Sequence, residues 1–258
     1  YAYEQIHFPA DEEELSAARR RLAFEELFFL AIGLRRLRGR RDQLACAGWE
    51  NTDLAEFYGR LPFALTGAQQ RAIEDIRADL AAGRPMNRLV QGDVGSGKTM
   101  VAAAAIFCAA RNGAQAALMA PTEILAEQHY RGLAPLLEEL GVACALLTGG
   151  MKAGQRRGVL EALAEGTVQV AIGTHALISA DVAYHNLGLV VTDEQHRFGV
   201  GQRSALSAKG ERPHLLVMSA TPIPRTLALM IYGDLDVSHI DELQPGRQKI
   251  DNFAVTGS

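Results

Sequence analysis

From about residue 87 to residue 219 the chain alternates short apolar runs with longer stretches of helical spacing. Leu89-Val90, Ala117-Leu118-Met119, Ala145-Leu146-Leu147, Val168 to Ile172, Leu189-Val190-Val191 and Leu215 to Met218 are too short for helices and are bounded by polar or turn-forming residues. They are predicted strands. The stretches near 98–111, 123–139 and 153–165 are predicted helices, and a further helix is expected near 224–232. Repeated alternation of strand and helix implies an α/β fold, a mostly parallel sheet flanked by helices on both faces. Ligands of such sheets sit at the carboxyl ends of the strands. Ahead of this region, Thr66 can cap a helix whose Ile73, Ile76 and Leu80 share one face, and Gly83-Arg84-Pro85 stops it. Further upstream, Asp11 to Leu37 read as one long helix with acidic residues at its start. Its second half, including Leu22, Phe24, Leu27, Phe28, Phe29, Leu30, Ile32 and Leu34, is apolar on nearly every face, so it is expected to be buried or to pack against another domain. The expected division is a helical extension over 1–60 and an α/β domain over 61–258.

One loop of this pattern carries chemistry. Gly92-Asp93-Val94-Gly95-Ser96-Gly97-Lys98-Thr99 fits G-x-x-x-x-G-K-[ST] at every fixed position, directly after an apolar strand and before a helix. Glycines let the backbone wrap around phosphates with its N–H groups inward, and the helix N-terminus adds its positive end. Lys98 can then reach the β- and γ-phosphates, and the Thr99 hydroxyl can bind Mg²⁺.

Composition narrows the setting. The chain has 258 residues, 48% of them hydrophobic, enough for a large core. Lys and Arg total 26 against 30 Asp and Glu, a net charge of −4, so any nucleic-acid contact must use a local patch. Cys46, Cys108 and Cys144 are far apart and form no C-x-x-C pair, which argues against zinc and a disulfide framework and fits a reducing, cytoplasmic compartment. No apolar run reaches the length of a membrane span, and Tyr1 to Ala10 lack the basic region of a signal peptide. The first residue is Tyr and the last two are Gly257-Ser258, so the chain reads as a piece of a longer protein. The basic run Arg35 to Arg41 reads first as a solvated helix end, with a phosphate-backbone contact as the other reading.

Two more strand ends add to the loop. Leu189-Val190-Val191-Thr192-Asp193-Glu194-Gln195-His196 is an apolar strand that finishes in two carboxylates. Mg²⁺ in phosphate-loop NTPases needs an anchor besides the loop hydroxyl, a role that Asp193 fits. Glu194 fits a neighbouring carboxylate that orients and deprotonates water. Ser219-Ala220-Thr221-Pro222 again follows an apolar strand directly.

The order of phosphate loop, Asp-Glu-x-His and Ser-Ala-Thr resembles the first RecA-like domain of superfamily 2 helicases and translocases. Gln91 to Thr99, Ala120 to Tyr130, Asp193 to Val200, Ser219 to Thr226 and Ile6 to Pro9 look like the bacterial RecG branch-migration helicases, and the similarity runs over essentially the whole chain. The transcription-repair coupling translocases share several of these strings, but Ser96, Gln195 and Arg19 to Glu26 favour the RecG family. Thr192 stands where that family more usually has Ile or Val.

The resemblance implies roles residue by residue. Gln69 in Leu65-Thr66-Gly67-Ala68-Gln69 matches a glutamine that reads the adenine edge, to which an amide offers both a donor and an acceptor. Phe63 is as readily a core residue as a stacking partner. His196, Ser219 and Thr221 look like residues that couple nucleotide state to the DNA face. Pro121-Thr122, Thr148-Gly149-Gly150 and Thr174-His175 correspond to loops that hold DNA phosphates without reading bases, toward the sheet edge opposite the nucleotide loops. Lys152, Arg156 and Arg157 either add charge there or begin a solvated helix. The implied function is the ATP- and Mg²⁺-dependent motor domain of a monomeric bacterial helicase that remodels forks and Holliday junctions in repair and recombination. A second RecA-like domain and a wedge domain are expected to lie outside these residues, so the isolated chain should bind nucleotide weakly and hydrolyse it poorly. The rival readings are the motor of a transcription-repair coupling translocase and an ATP-gated DNA-binding module that is not a motor.

Overall fold

The computed structural model describes residues 1–42, 45–46, 48–193, 205–220 and 235–242. Tyr1–Ala45 fall in one compact unit, and the described residues 46–220 and 236–242 form the other. In the first unit, α1 (Ala2–Gln5) precedes the long α2 (Glu12–Asp42). Asp11 starts α2 by accepting a hydrogen bond from the Glu14 N–H at 2.8 Å, which satisfies one of the open donors of the first turn. Phe24, Leu27, Phe28, Phe29 and Ile32 are all exposed, with Phe24 stacked on Phe28 at 5.8 Å between ring centroids. Among the described residues nothing buries that face, an apolar patch of the kind that marks an interaction surface.

The second unit contains α3 (Ala55–Arg60), α4 (Gly67–Ala81), β1 (Asn87–Gly92), α5 (Lys98–Arg111), β2 (Gln115–Met119), α6 (Glu123–Glu139), β3 (Cys144–Leu147), α7 (Ala153–Glu165), β4 (Val170–Gly173), a 3-10 turn (His175–Ile178), β5 (Leu187–Asp193), β6 (His214–Ser219) and β7 (Asp236–Ile240). The six expected strands and the helices at 98–111, 123–139 and 153–165 are present, while the one expected near 224–232 lies outside the described residues. The unit begins ahead of residue 61, because Leu54 and Phe57 are buried in its core and Trp49 packs against it. The capping box at the start of α4 is complete: the Thr66 hydroxyl accepts from the Gln69 N–H, and the Gln69 amide oxygen accepts from the Thr66 N–H.

The strands form one sheet in the order β3-β4-β2-β5-β6-β1-β7, with parallel pairing throughout the described residues. Alternation along the strands divides the core in two. Val90, Ala116, Leu118, Ile172, Leu189, Val191 and Leu216 meet Ile73, Ile76, Leu133, Leu137 and the Ala-rich helix α5 on one face. Ala117, Met119, Ala171 and Val190 meet Leu163, Ala176, Leu177 and Leu206 on the other. Because the strands run parallel, every connecting loop that could hold a ligand leaves the same carboxyl end.

Two polar groups inside this frame bear on its stability. Arg88 of β1 donates through Nε to Asp79 Oδ2 at 2.7 Å and through Nη1 to Ser238 Oγ of β7 at 2.8 Å and Asp75 Oδ2 at 3.3 Å. His214, at the start of β6, is buried edge-on against Trp49, and its Nδ1 accepts the Met86 N–H at 2.9 Å. Burial holds its pKa down at about 4, against a smaller opposing pull from Asp79. Between the ordinary value near 6.5 and about 4 the unfolded chain takes up a proton at this ring that the folded chain refuses. Stability carried by the neutral ring is therefore complete above pH 6.5 and is lost as the pH falls toward 4. His214→Phe should flatten that acid limb when thermal midpoints are followed against pH. An unchanged slope would exclude His214 as its source.

Candidate nucleotide site

The phosphate loop joins β1 to α5 in a shape that its glycines make possible. Gly95 and Gly97 have φ of 79° and 83°, in the left-handed region, and Gly97 is the N-cap of α5. A Cβ at Gly92 would lie 2.6 Å from Ser96 Oγ and 2.9 Å from the Ile240 carbonyl of β7, so the loop packs against both itself and the edge strand. The Ser96 N–H donates to the Asp93 carbonyl at 3.1 Å. Asp93, Val94 and Gly95 are exposed, whereas the Lys98 ammonium is drawn in, donating to the Gly92 and Asp93 carbonyls at 2.7 and 2.8 Å. Thr99 is half-buried in the first turn of α5, where the helix dipole favours anions.

Gln69 is buried beside the loop. Its Nε2 donates to the Ser96 carbonyl at 2.8 Å, and its Oε1 is the capping acceptor for Thr66. A carboxamide has two N–H groups and two lone pairs, so one of each remains beyond these bonds. Gln69 thus ties the start of α4 to the phosphate loop, a mechanical link that sequence reading did not assign to it. Phe63 is exposed. With Tyr58, Leu61, Leu65, Arg71 and Arg77 it lines a groove of about 690 Å³ next to α4, and so it is not a core residue.

Asp193 ends β5, and β6 lies between β5 and β1. Two strand spacings put the Asp193 and Gly92 strand ends roughly 10 Å apart. Ser219 ends β6 between them, in register with Gln91 on one side, and is buried. Asp193 Oδ2 lies 2.6 Å from His129 Nε2 of α6. Glu194, His196 and Thr221 lie outside the described residues. Thr192 is fully buried, and among the described residues its hydroxyl has no partner. An enclosed, unpaired hydroxyl costs about 1 kcal/mol or more. Thr192→Val, which keeps the shape and removes the orphan, should raise stability by about 1 kcal/mol and the melting midpoint by ~3 °C. A lowered midpoint on calorimetry would show that the hydroxyl does find a partner.

The other candidate loops leave β2, β3 and β4, toward the opposite lateral edge of the sheet. Pro121 and Thr122 are half-buried, and the Thr122 hydroxyl caps α6 by accepting the Leu125 N–H at 3.3 Å. Gly149 and Gly150 are exposed, and the Gly150 N–H donates to Glu123 Oε1 at 3.1 Å. Thr148 and Thr174 are buried, and the enclosed Thr174 hydroxyl has no partner among the described residues, while His175 is exposed. Lys152 and Arg157 are exposed, but the Arg156 guanidinium is taken up by Asp181 at 3.0 Å. Sequence reading gave no role to His129 or Glu123. Both stand in the Ala120–Tyr130 segment, and the helical spacing of Thr122 and His129 on one face was the available signal.

No group of three or more His, Cys, Asp or Glu that could cage a metal occurs among the described residues. Of the residues expected to hold a metal, the Thr99 hydroxyl and the Asp193 carboxylate are both among the described residues. They are hard oxygen ligands of the kind that hold a divalent ion shared with phosphates. No helix among the described residues is long and apolar enough to cross a membrane.

Comparison with known proteins agrees with this geometry. Residues 66–230 match the DEAD/DEAH box helicase family. The chain is 54% identical to the ATP-dependent DNA helicase RecG of Synechocystis over 258 residues, 99% of this chain and 31% of that protein. It is 48% identical to the RecG of Bacillus subtilis over 98% of this chain and 38% of that protein. The chain therefore spans about a third of the length of the curated relatives it matches. A solved structure of RecG bound to a three-way DNA junction superposes with a TM-score of 0.83 at 46% identity, covering 96% of this chain and 34% of that one. The DEAD-box helicase Mss116 bound to single-stranded RNA shares the fold, with a TM-score of 0.58 at 21% identity over 75% of this chain. The RecA-like fold, the phosphate loop on β1 and the carboxylate on β5 thus converge on one assignment. The chain belongs to the DEAD/DEAH box helicase family.

Proposed function

We propose that this chain is the ATP-binding motor segment of a helicase or translocase that remodels branched DNA in repair and recombination. The likeness to RecG on a three-way junction, continuous over 96% of the chain, is the observation that carries the reading. ATP is the nucleotide assigned, because Gln69, bonded to the Ser96 carbonyl of the loop, holds the position that the family resemblance gives to an adenine-reading amide. Thr99 and Asp193 would hold Mg²⁺, which when bound neutralises charge on the β- and γ-phosphate oxygens. Lys98 would exchange the Gly92 and Asp93 carbonyls for phosphate oxygens, and Glu194 is assigned to orient the attacking water.

The exposed loop at Gly149-Gly150, with Pro121-Thr122 and His175, would meet DNA phosphates without reading bases, the Gly150 N–H exchanging the Glu123 carboxylate for a phosphate oxygen. The enclosed Thr148 and Thr174 side chains would shape those loops from within. Ser219, His196 and Thr221 would link the two halves of the strand-end surface. A second RecA-like domain and a wedge domain would lie in the full-length protein beyond these residues, so the segment alone should turn over ATP poorly. The free thiols of Cys46, Cys108 and Cys144 fit a bacterial cytoplasm. Steady-state ATPase of the full-length protein with forked, linear and no DNA tests the reading. Forked DNA should stimulate most, and a rate indifferent to DNA would remove the motor assignment.

A further inference from the structure

His129 sits on α6 two turns beyond the N-cap residue Thr122, on the same face. Its Nε2 is 2.6 Å from Asp193 Oδ2, and the two side chains are only 11% and 16% exposed. With the carboxylate oxygen as acceptor, Nε2 is the donor of a short hydrogen bond. The contact uses Oδ2, and no described residue is bonded to Oδ1. It also joins two different parts of the strand-end surface. Asp193 belongs to β5 on the nucleotide side, while α6 follows β2 on the side of the second loop set.

The near end of α6 is held at two points. Thr122 Oγ1 accepts the Leu125 N–H at 3.3 Å, and Glu123 Oε1 accepts the Gly150 N–H at 3.1 Å. Gly149 and Gly150 lie so close to the Glu123 carboxylate that a Cβ on either would be 3.3 Å from it. One rigid helix thus carries the 121–122 and 148–150 loops at its start and the Asp193 carboxylate two turns on.

We propose that His129 is a positioning residue that orients Asp193 for a divalent metal shared with bound nucleotide, and that α6 ties this orientation to the 121–122 and 148–150 loops. The inference rests on the function proposed above. Hydrogen bonds to a ligating carboxylate fix its rotamer and its basicity, and their loss typically costs 10- to 100-fold in metal affinity or activity. A histidine held only for packing would show no such metal dependence.

The test is binding of a fluorescent ATP analogue to the full-length protein, titrated with Mg²⁺ and repeated in EDTA. His129→Leu should raise the Mg²⁺ concentration for half-maximal binding by about 10-fold or more. Affinity in EDTA should stay within about twofold of the unmodified protein, because the altered bond acts only through the metal ligand. His129→Gln, whose Nε2 can also donate, should recover most of the loss, and His129→Asn, too short to reach, should not. The proposal is overturned if Leu leaves the Mg²⁺ dependence unchanged, if affinity falls equally with and without Mg²⁺, or if Gln does no better than Leu. Should His129→Leu fail to fold, the Gln-against-Asn comparison decides in the same way. An unmodified protein that binds the analogue with no Mg²⁺ dependence would remove the functional reading, and this inference with it.

Discussion

On the proposed motor function, Lys98→Ala in the full-length protein should lower the DNA-stimulated kcat for ATP by about 10²–10³, the usual effect of removing one preorganised charge donor from a developing oxyanion. The reason is the position of Lys98 at the start of α5, where its ammonium rests on the Gly92 and Asp93 carbonyls of the phosphate loop. The substitution removes the ammonium's two hydrogen bonds to the Gly92 and Asp93 carbonyls, but Gly95 and Gly97 still set the loop's dihedrals and the Ser96–Asp93 hydrogen bond still closes it. Thermal midpoint and DNA affinity without nucleotide should accordingly stay near those of the unmodified protein. A variant that retains more than about a tenth of the stimulated rate would show that phosphoryl charge is handled elsewhere.

Arg88→Ala should destabilise the protein by about 3 kcal/mol, read from the urea midpoint. Arg88 and Asp79 are only 11% and 14% exposed at their side chains, and their bond is 2.7 Å long. Removing the guanidinium strands a nearly buried carboxylate and takes away the donor to Ser238 as well. Asp75 contributes less, because half of its side chain remains in solvent. The loss should also reach the nucleotide site. Ser238 and Ile240 belong to β7, and the Ile240 carbonyl abuts Gly92 of the phosphate loop, so a loosened β7 should weaken ATP binding in parallel. A double-mutant cycle with Asp79→Asn should give a coupling above 1 kcal/mol. Additive effects would mean that Arg88 acts through packing alone.

Much of this was legible in the chain. The apolar strands end where polar chemistry begins, so the sequence pattern alone puts Gly92–Thr99 and Asp193 at strand ends. The helices over 98–111, 123–139 and 153–165 have Gly97, Thr122 and Lys152 at their N-caps, and their bounds followed from local composition. β7 was not legible, because Asp236-Val237-Ser238-His239-Ile240 inverts the usual pattern: Val237 faces out and Ser238 faces in. Only Arg88 and Asp75, which are distant in sequence, make a buried serine reasonable there. The burial of Leu54 and Phe57 escaped for a similar reason, since six residues of α3 carry too little periodicity to reveal a core contact.

By itself the sequence determined the kind of chemistry: phosphate-binding glycines, a lysine, a metal-suited hydroxyl and a strand-end carboxylate are matters of residue type and short spacing. Local backbone sterics and period-two or period-3.6 patterns suffice to place such groups on strands, turns and helices. The tertiary structure alone decided which of them meet. The strand order set Asp193 two strands away from the phosphate loop, enclosed Thr174 and Thr192, turned Gln69 toward Ser96 and brought His129 onto Asp193. Contacts between residues far apart in the chain depend on register and packing of the whole sheet, which no local window of sequence contains.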